Sequence, residues 1–326
     1  MKNNVEKFLE YASVDKIDTN VKLCNTSLDE LVATVKRKQD CILFGPPGTS
    51  KTYYVNNLKK ELGDTLGKMQ IIQFHANYSY EEFIDGIVPD VENGGFKYQT
   101  GIFFDFCEDA KRSENMGKIC PFIIDEINRA NITAVFGEVM NLMENKGKRK
   151  TFTAKQRKEF SIPENVVIIG TMNTADKTLA KLDFAFRRRF RFLPVYPSKE
   201  ILHKMVAANG FNQDIPLSID EYTDCFEILN AKIRKSNQLG KEMTIGHVLW
   251  TRKDNSNSQY TSNDIASIFR ESVFPQLESY CGNNKELLGS LLGTYIRDKL
   301  IYGYYISDAD VIDFLVGLKN SKAGEK

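Results

Sequence analysis

The octapeptide GPPGTSKT, Gly45–Thr52, sets a lysine and a hydroxyl residue directly after a glycine- and proline-rich turn, and it follows the apolar run Cys41–Phe44 (CILF). A strand, a glycine loop and a helix in that order place backbone N–H groups around phosphate oxygens at a helix N-terminus. The pattern is GxxxxGK[ST]. In it Gly45, Pro46, Pro47, Gly48, Thr49 and Ser50 would form the phosphate loop, Lys51 would reach the β- and γ-phosphates, and the Thr52 hydroxyl would join the Mg²⁺ shell. Ser50 stands where the pattern has its second glycine. The N–H donor survives that change, and the serine costs little provided φ there is negative; a need for glycine's freedom would slow hydrolysis.

Three further groups have types suited to the same chemistry. PFIIDEINRAN, 74 residues on from Lys51, has an apolar strand ending in Asp125 and Glu126. Asp125 would hold the Mg²⁺ shell, and Glu126 would orient or deprotonate the attacking water. An isolated acidic pair would instead be a strand ending in solvent, but the phosphate loop upstream argues against that. In GTMNTAD a strand ends at Asn173. An asparagine there is ordinarily a turn residue; if its strand lies beside the phosphate-loop strand, it can contact both water and γ-phosphate. LDFAFRRRFRF then supplies Arg187, Arg188, Arg189 and Arg191 within five residues. Such a run is ordinarily a solvated basic face. Charge developing on a transferred phosphoryl group needs a cation, however, and an arginine delivered by a neighbouring subunit contributes roughly 10³–10⁵ in rate in known cases. Arg188 and Arg189 are the expected pair. Asn165–Arg191 thus points to a ring-forming machine rather than a kinase or a monomeric switch.

These residues need an α/β scaffold. Cys41–Phe44, Met69–His75, Cys120–Asp125, Val166–Gly170 and Phe190–Val195 read as five strands. Each is largely apolar throughout rather than alternating, as in a parallel sheet covered by helices on both faces. Asp90–Gly101 reads as a hairpin turning at Gly94-Gly95, and Asn145–Pro163 as a basic hairpin or loop. Its segment Lys146–Lys158 carries seven Lys/Arg and no acid, so it either touches DNA phosphates or an acidic partner, or is simply solvated. Residues 1–38 read as an N-terminal helical segment, 39–197 as the α/β core and 198–326 as an α-helical lid.

Composition excludes little but agrees. The chain's 326 residues allow about two domains. A net charge of +1 predicts no nucleic-acid or membrane partner from whole-chain electrostatics. The six cysteines are scattered, with no CxxC pair and no metal spacing to the three histidines, as for reduced thiols in a cytoplasmic protein. The N-terminus is polar, unlike a signal peptide, and no apolar run nears the ~18 residues of a membrane span.

In order, these motifs resemble the AAA+ superfamily, and within it the McrB-type GTPases of modification-dependent restriction systems. The resemblance covers about residues 38–300. It rests on the glycine loop, FHANYSYEEFIDGIVPD (Phe74–Asp90), IIDEINRANITAVFGEVMNLME (Ile123–Glu144), IIGTMNTADKTLAKLDFAFRRRF (Ile168–Phe190) and LGKEMTIGHVLW (Leu239–Trp250). It implies a hexameric homo-oligomeric ring with nucleotide at subunit interfaces, a helical lid, and an McrC-like partner subunit that stimulates hydrolysis and carries the nuclease. Carried onto this chain, it makes Lys51 and Thr52 ligands of phosphate and Mg²⁺, Asp125 the metal support, Glu126 the catalytic carboxylate and Asn173 the sensor. Arg188 and Arg189 become interface residues, and Arg129 a contact to a neighbour or partner. Two departures stand out: Ser50, and the roughly 38 residues before the core, too few for a DNA-reading domain. DNA is therefore expected to be met through a partner, and no PD-(D/E)xK nuclease pattern is visible. The rival readings are a MoxR-like protein-remodelling chaperone and, because of Ser50, a nucleotide-dependent scaffold that does not hydrolyse. The motifs contact phosphate and metal, not the base, so GTP rather than ATP rests on the resemblance alone.

Overall fold

A computed structural model describes residues 25–90, 94–148, 151–152, 159–176, 184–254 and 256–323. Two compact units form. Among the described residues, one comprises 25–45 and 51–195, the other 46–50 and 196–323.

The first unit is built on strands β1 (Cys41–Gly45), β2 (Gln70–Gln73), β3 (Asp85–Pro89), β4 (Phe96–Thr100), β5 (Cys120–Asp125), β6 (Thr151–Phe152), β7 (Glu159–Phe160), β8 (Val166–Asn173) and β9 (Arg191–Pro194). Five of them form one sheet in the order β2-β5-β8-β1-β9. Every pairing in it is parallel, so the α/β fold with a five-stranded parallel sheet is as expected. The unbroken apolar runs serve two cores at once, because alternate side chains of a strand point to opposite faces. Ile42, Phe122, Ile124, Val166 and Ile168 meet a phenylalanine-rich cluster that includes Phe83, Phe103 and Phe136. Cys41, Leu43, Ile123, Val167, Ile169 and Leu193 meet the other cluster, built with helices α1 (Leu28–Lys36) and α2 (Lys51–Leu62). Helices α3 (Tyr80–Phe83), α4 (Ile102–Ala110), α5 (Ile132–Phe136) and α6 (Phe184–Arg187) are the unit's other α-helices among the described residues.

The strands differ from expectation mainly at their ends. β2 is shorter than Met69–His75, while β8 runs past Gly170 to Asn173, the end expected from GTMNTAD. The hairpin does turn at Gly94-Gly95, with Asp90 N–H donating to the Gly95 carbonyl at 3.0 Å. Its first arm lies upstream, however, because Asp85 pairs with Thr100 and Pro89 with Phe96. The basic segment contains the short antiparallel pair β6–β7; residues 149–150 and 153–158 lie outside the described ones. Lys146 is no free surface charge. It forms an ion pair with Asp40 in which the side chains are 11% and 5% exposed, and it also donates to the Val166 carbonyl. Asp40 accepts from Ile168 N–H at 2.8 Å, and its carbonyl accepts from Arg191 N–H. Asp40, directly before β1, thus ties in β8 through its carboxylate and β9 through its carbonyl, all near the strands' N-terminal ends. Burial pushes its pKa up, against the pull of Lys146.

The second unit has no strand among its described residues. It contains α7 (Lys199–Ala207), α8 (Ile219–Lys235), α9 (Ser262–Ile268), α10 (Phe274–Cys281), α11 (Lys285–Ile301) and α12 (Asp308–Ala323). Ser218 caps α8 in a reciprocal box with Glu221, which satisfies donors that a helix start leaves open. Trp250, fully buried, packs against Tyr222, Phe226 and Phe269 to centre this unit's core. Of the expected N-terminal helical segment, Leu28–Lys36 is helical and residues 1–24 lie outside the described ones. No described helix is long and apolar enough to cross a membrane. Cys41, Cys107, Cys120, Cys225 and Cys281 are free and buried.

Candidate functional site

Parallel pairing brings the C-terminal ends of β5, β8 and β1 side by side, where open α/β sheets bind ligands. β8 lies directly beside β1, with Asn173 in register with Gly45. The condition for Asn173 to act as a phosphate sensor is thereby met. Thr174 N–H donates to the Gly45 carbonyl at 3.1 Å, and Asn128 Nδ2 reaches the Asn173 carbonyl at 3.5 Å. Gly45 must be glycine: an added Cβ would run into the Val195 carbonyl.

The acidic pair is held by a residue that the sequence reading passed over. The Thr171 hydroxyl donates to Asp125 Oδ1 and accepts from Glu126 N–H at 3.1 Å. Thr171 thereby fixes the orientation of both acids from the neighbouring strand. Glu126 itself sits in the left-handed region, at φ 53° and ψ 46°, and its carboxylate pairs with Arg129 one turn on. Arg129, expected to contact a neighbour or a partner, pairs with Glu126 of its own chain, and its side chain is 45% exposed.

Lys51 opens α2 and is only 7% exposed. Its ammonium donates to the Gly45 carbonyl at 2.9 Å. Burial lowers its pKa to about 8, against the opposing pull of Asp125 and Glu126. A buried lysine set against two acids at the C-terminal edge of the sheet places a cation where open α/β sheets take their ligands. The exposed Thr52 hydroxyl and the Asp125 carboxylate are hard oxygen donors, the kind that Mg²⁺ takes alongside phosphate oxygens. The residues present therefore fit a magnesium-bound triphosphate.

The loop Pro46–Ser50 belongs to the helical unit. Thr49, buried, donates to the Pro46 carbonyl at 2.9 Å. Gly48 has φ +73°, and its carbonyl accepts from Val248 N–H at 3.0 Å. Ser50 has φ +69°. The condition for an inexpensive serine, a negative φ, is therefore not met, and a side chain in the left-handed region costs about 1–2 kcal/mol. Its Oγ lies 2.7 Å from Nε2 of His247, which is fully buried. His247 belongs to LGKEMTIGHVLW, where spacing alone gives the histidine no role.

The arginines separate clearly. Arg189 is turned inward: its side chain is 5% exposed, it donates to the Ala185 carbonyl, and it lies 3.5 Å from Glu144. Arg188 also contacts Glu144, at 3.2 Å, but its side chain is 65% exposed. Arg187 stacks over Phe192, and Arg191 pairs with Glu30. Of the expected pair, then, only Arg188 is presented outward.

A family model for the AAA domain (dynein-related subfamily) matches residues 40–190. The chain is 36% identical over 271 residues to the type IV methyl-directed restriction enzyme EcoKMcrB subunit of Escherichia coli K12, covering 78% of this chain and 56% of that one. It is 24% identical over 318 residues to the type II restriction enzyme BsuMI component YdiS of Bacillus subtilis 168, covering 83% and 90%. The chain thus spans little more than half the length of the E. coli relative. A solved structure from Cytophaga hutchinsonii, of a protein described as an ATPase by assignment only, is 18% identical over 72% of this chain and 68% of that one. Its TM-score of 0.39 carries nothing further.

Proposed function

We propose, for a chain that belongs to the AAA+ superfamily and within it to the McrB type, that it is the nucleotide-hydrolysing subunit of a restriction complex. In this reading the loop Gly45–Ser50 cradles the phosphates, and Lys51 neutralises β- and γ-oxygens. Thr52 and Asp125 hold Mg²⁺, which supplies charge neutralisation when bound. Glu126 takes the proton from the water that attacks the γ-phosphorus, the bond to the β–γ bridging oxygen breaks, and Asn173 positions water and γ-phosphate. The observation that carries this is the adjacency of β5, β8 and β1, which gathers Asp125, Glu126, Thr171 and Asn173 at the end of the strand that leads to Lys51.

The substrate is GTP or ATP, with GTP favoured only by the resemblance of the motifs to McrB-type GTPases. The subunits form a ring, six in number by the same likeness, and Arg188 is the outward cation for a neighbour's site. A separate nuclease subunit stimulates turnover and meets DNA. The two restriction-enzyme relatives favour this over a remodelling chaperone. Turnover of GTP and ATP with Mg²⁺, with and without a candidate nuclease partner, tests the reading. Glu126→Gln should keep nucleotide binding and lose about 10²–10⁴ in rate, the usual contribution of a general base. Turnover equal to wild type in that variant, with and without partner, refutes the assignment.

A further inference from the structure

We propose that His247 is a positioning residue for the phosphate loop, acting through Ser50, so that serine at the glycine place and the buried histidine work as a pair. The inference rests on the nucleotide-binding reading and deepens it.

The hydrogen-bond directions are fixed by the backbone. Ser198 N–H points at His247 Nδ1, 3.4 Å away, so Nδ1 presents its lone pair and the ring's proton sits on Nε2. Nε2–H then donates to Ser50 Oγ over 2.7 Å. Ser50 needs such a tie and glycine would not, because at φ +69° only the serine has an unfavourable Cβ. The histidine's own place is over-determined. Gly246 lies so close to the loop that a Cβ would strike the Gly48 and Pro47 backbone. On its other side Val248 N–H donates to the Gly48 carbonyl, and Leu249 Cγ would stand 2.9 Å from any Cβ on Gly48. Residues 246–249 are thus seated directly on the loop backbone, with His247 aimed at the one residue whose type departs from the phosphate-loop pattern. The pairing supplies what the substitution removed: a loop held in its left-handed turn without glycine.

The experiment is a double-mutant cycle with wild type, His247→Leu, Ser50→Gly and the double variant. It is read by the Kd of a fluorescent GTP or ATP analogue with Mg²⁺, with thermal unfolding of the nucleotide-free proteins alongside. His247→Leu should weaken binding about tenfold, the size of one lost hydrogen bond to a strained residue. The same change made on Ser50→Gly should weaken it by less than about twofold, since glycine needs no tie. His247→Gln, which keeps a donor, should recover most of the loss. If His247 only fills the core, it lowers affinity equally in both backgrounds and glutamine does not rescue; that result overturns the proposal, as does an unchanged Kd in His247→Leu. Should His247→Leu not fold, Ser50→Ala replaces it, keeping the Cβ but not the acceptor, and it must show the tenfold loss. A wild type that binds neither nucleotide removes the underlying reading instead, and the proposal with it.

Discussion

Replacing Lys51 with methionine should stabilise the nucleotide-free protein while removing its affinity for nucleotide. Lys51 is 7% exposed and its pKa falls from an ordinary 10.5 to about 8, burial being the largest cause. At 1.36 kcal/mol per factor of ten, keeping that charge inside costs the empty fold about 3 kcal/mol. Methionine has a similar stem and no charge, so Lys51→Met should recover about 1–3 kcal/mol, the range for replacing buried charges by apolar groups. The shortfall reflects the Gly45 carbonyl, which loses one of two donors and keeps Thr174 N–H. At about 2–4 °C per kcal/mol for domains of this size, the unfolding midpoint should rise by several degrees. The pH dependence has a definite sign. Between pH 8 and 10.5 the unfolded chain holds a proton that the folded one has released, so this lysine makes wild-type stability rise with pH through that window. Lys51→Met lacks that rise, and below pH 8 the variant keeps its full advantage. A triphosphate restores the charge, so wild type should take up about half a proton on binding at pH 8, measurable by calorimetry in buffers of different ionisation enthalpy. The assay is chemical and thermal unfolding from pH 7 to 10.5, with nucleotide binding alongside. A destabilised variant, or a wild-type-minus-variant difference that is flat across the window, refutes the reasoning.

Two further predictions concern residues away from the phosphates. Arg188→Ala subunits mixed with Glu126→Gln subunits should regain part of the lost turnover, because some interfaces then combine both intact groups. No recovery at any mixing ratio means that the arginine acts within its own subunit, and mass photometry with nucleotide checks that a ring forms at all. Asp40→Ala should cost about 3–5 kcal/mol in denaturant unfolding, since it strands the buried Lys146; a loss under about 1 kcal/mol would mean that the pair does not anchor the strand ends.

The scaffold was readable because its signals are local. Five apolar runs, each next to a glycine loop, an acidic pair or a turn, place five strands, and a parallel sheet follows from runs too apolar to face water. Asp125, Glu126 and Asn173 were found because each stands at a strand's end. Thr171 and His247 were not, because their importance lies in pairing. Thr171 matters only once β5 and β8 are adjacent, so that one hydroxyl can serve Asp125 and the Glu126 amide together. Lys146 shows the converse: within a run of seven cations it reads as surface charge, and only the fold sets it against Asp40, 106 residues away.

Ser50 joins the two kinds of information. By sequence alone it is a departure from the phosphate-loop pattern, of little cost at negative φ and a brake on hydrolysis where glycine's freedom is needed. By structure it is half of a contact whose other half lies 197 residues on. A loop that owes its left-handed turn to glycine is self-sufficient; one that owes it to serine and histidine depends on residues 246–249 being in place. Nucleotide affinity in this chain should therefore respond to changes in that segment in a way that a glycine-bearing loop would not, which is the difference the cycle in Ser50 and His247 measures.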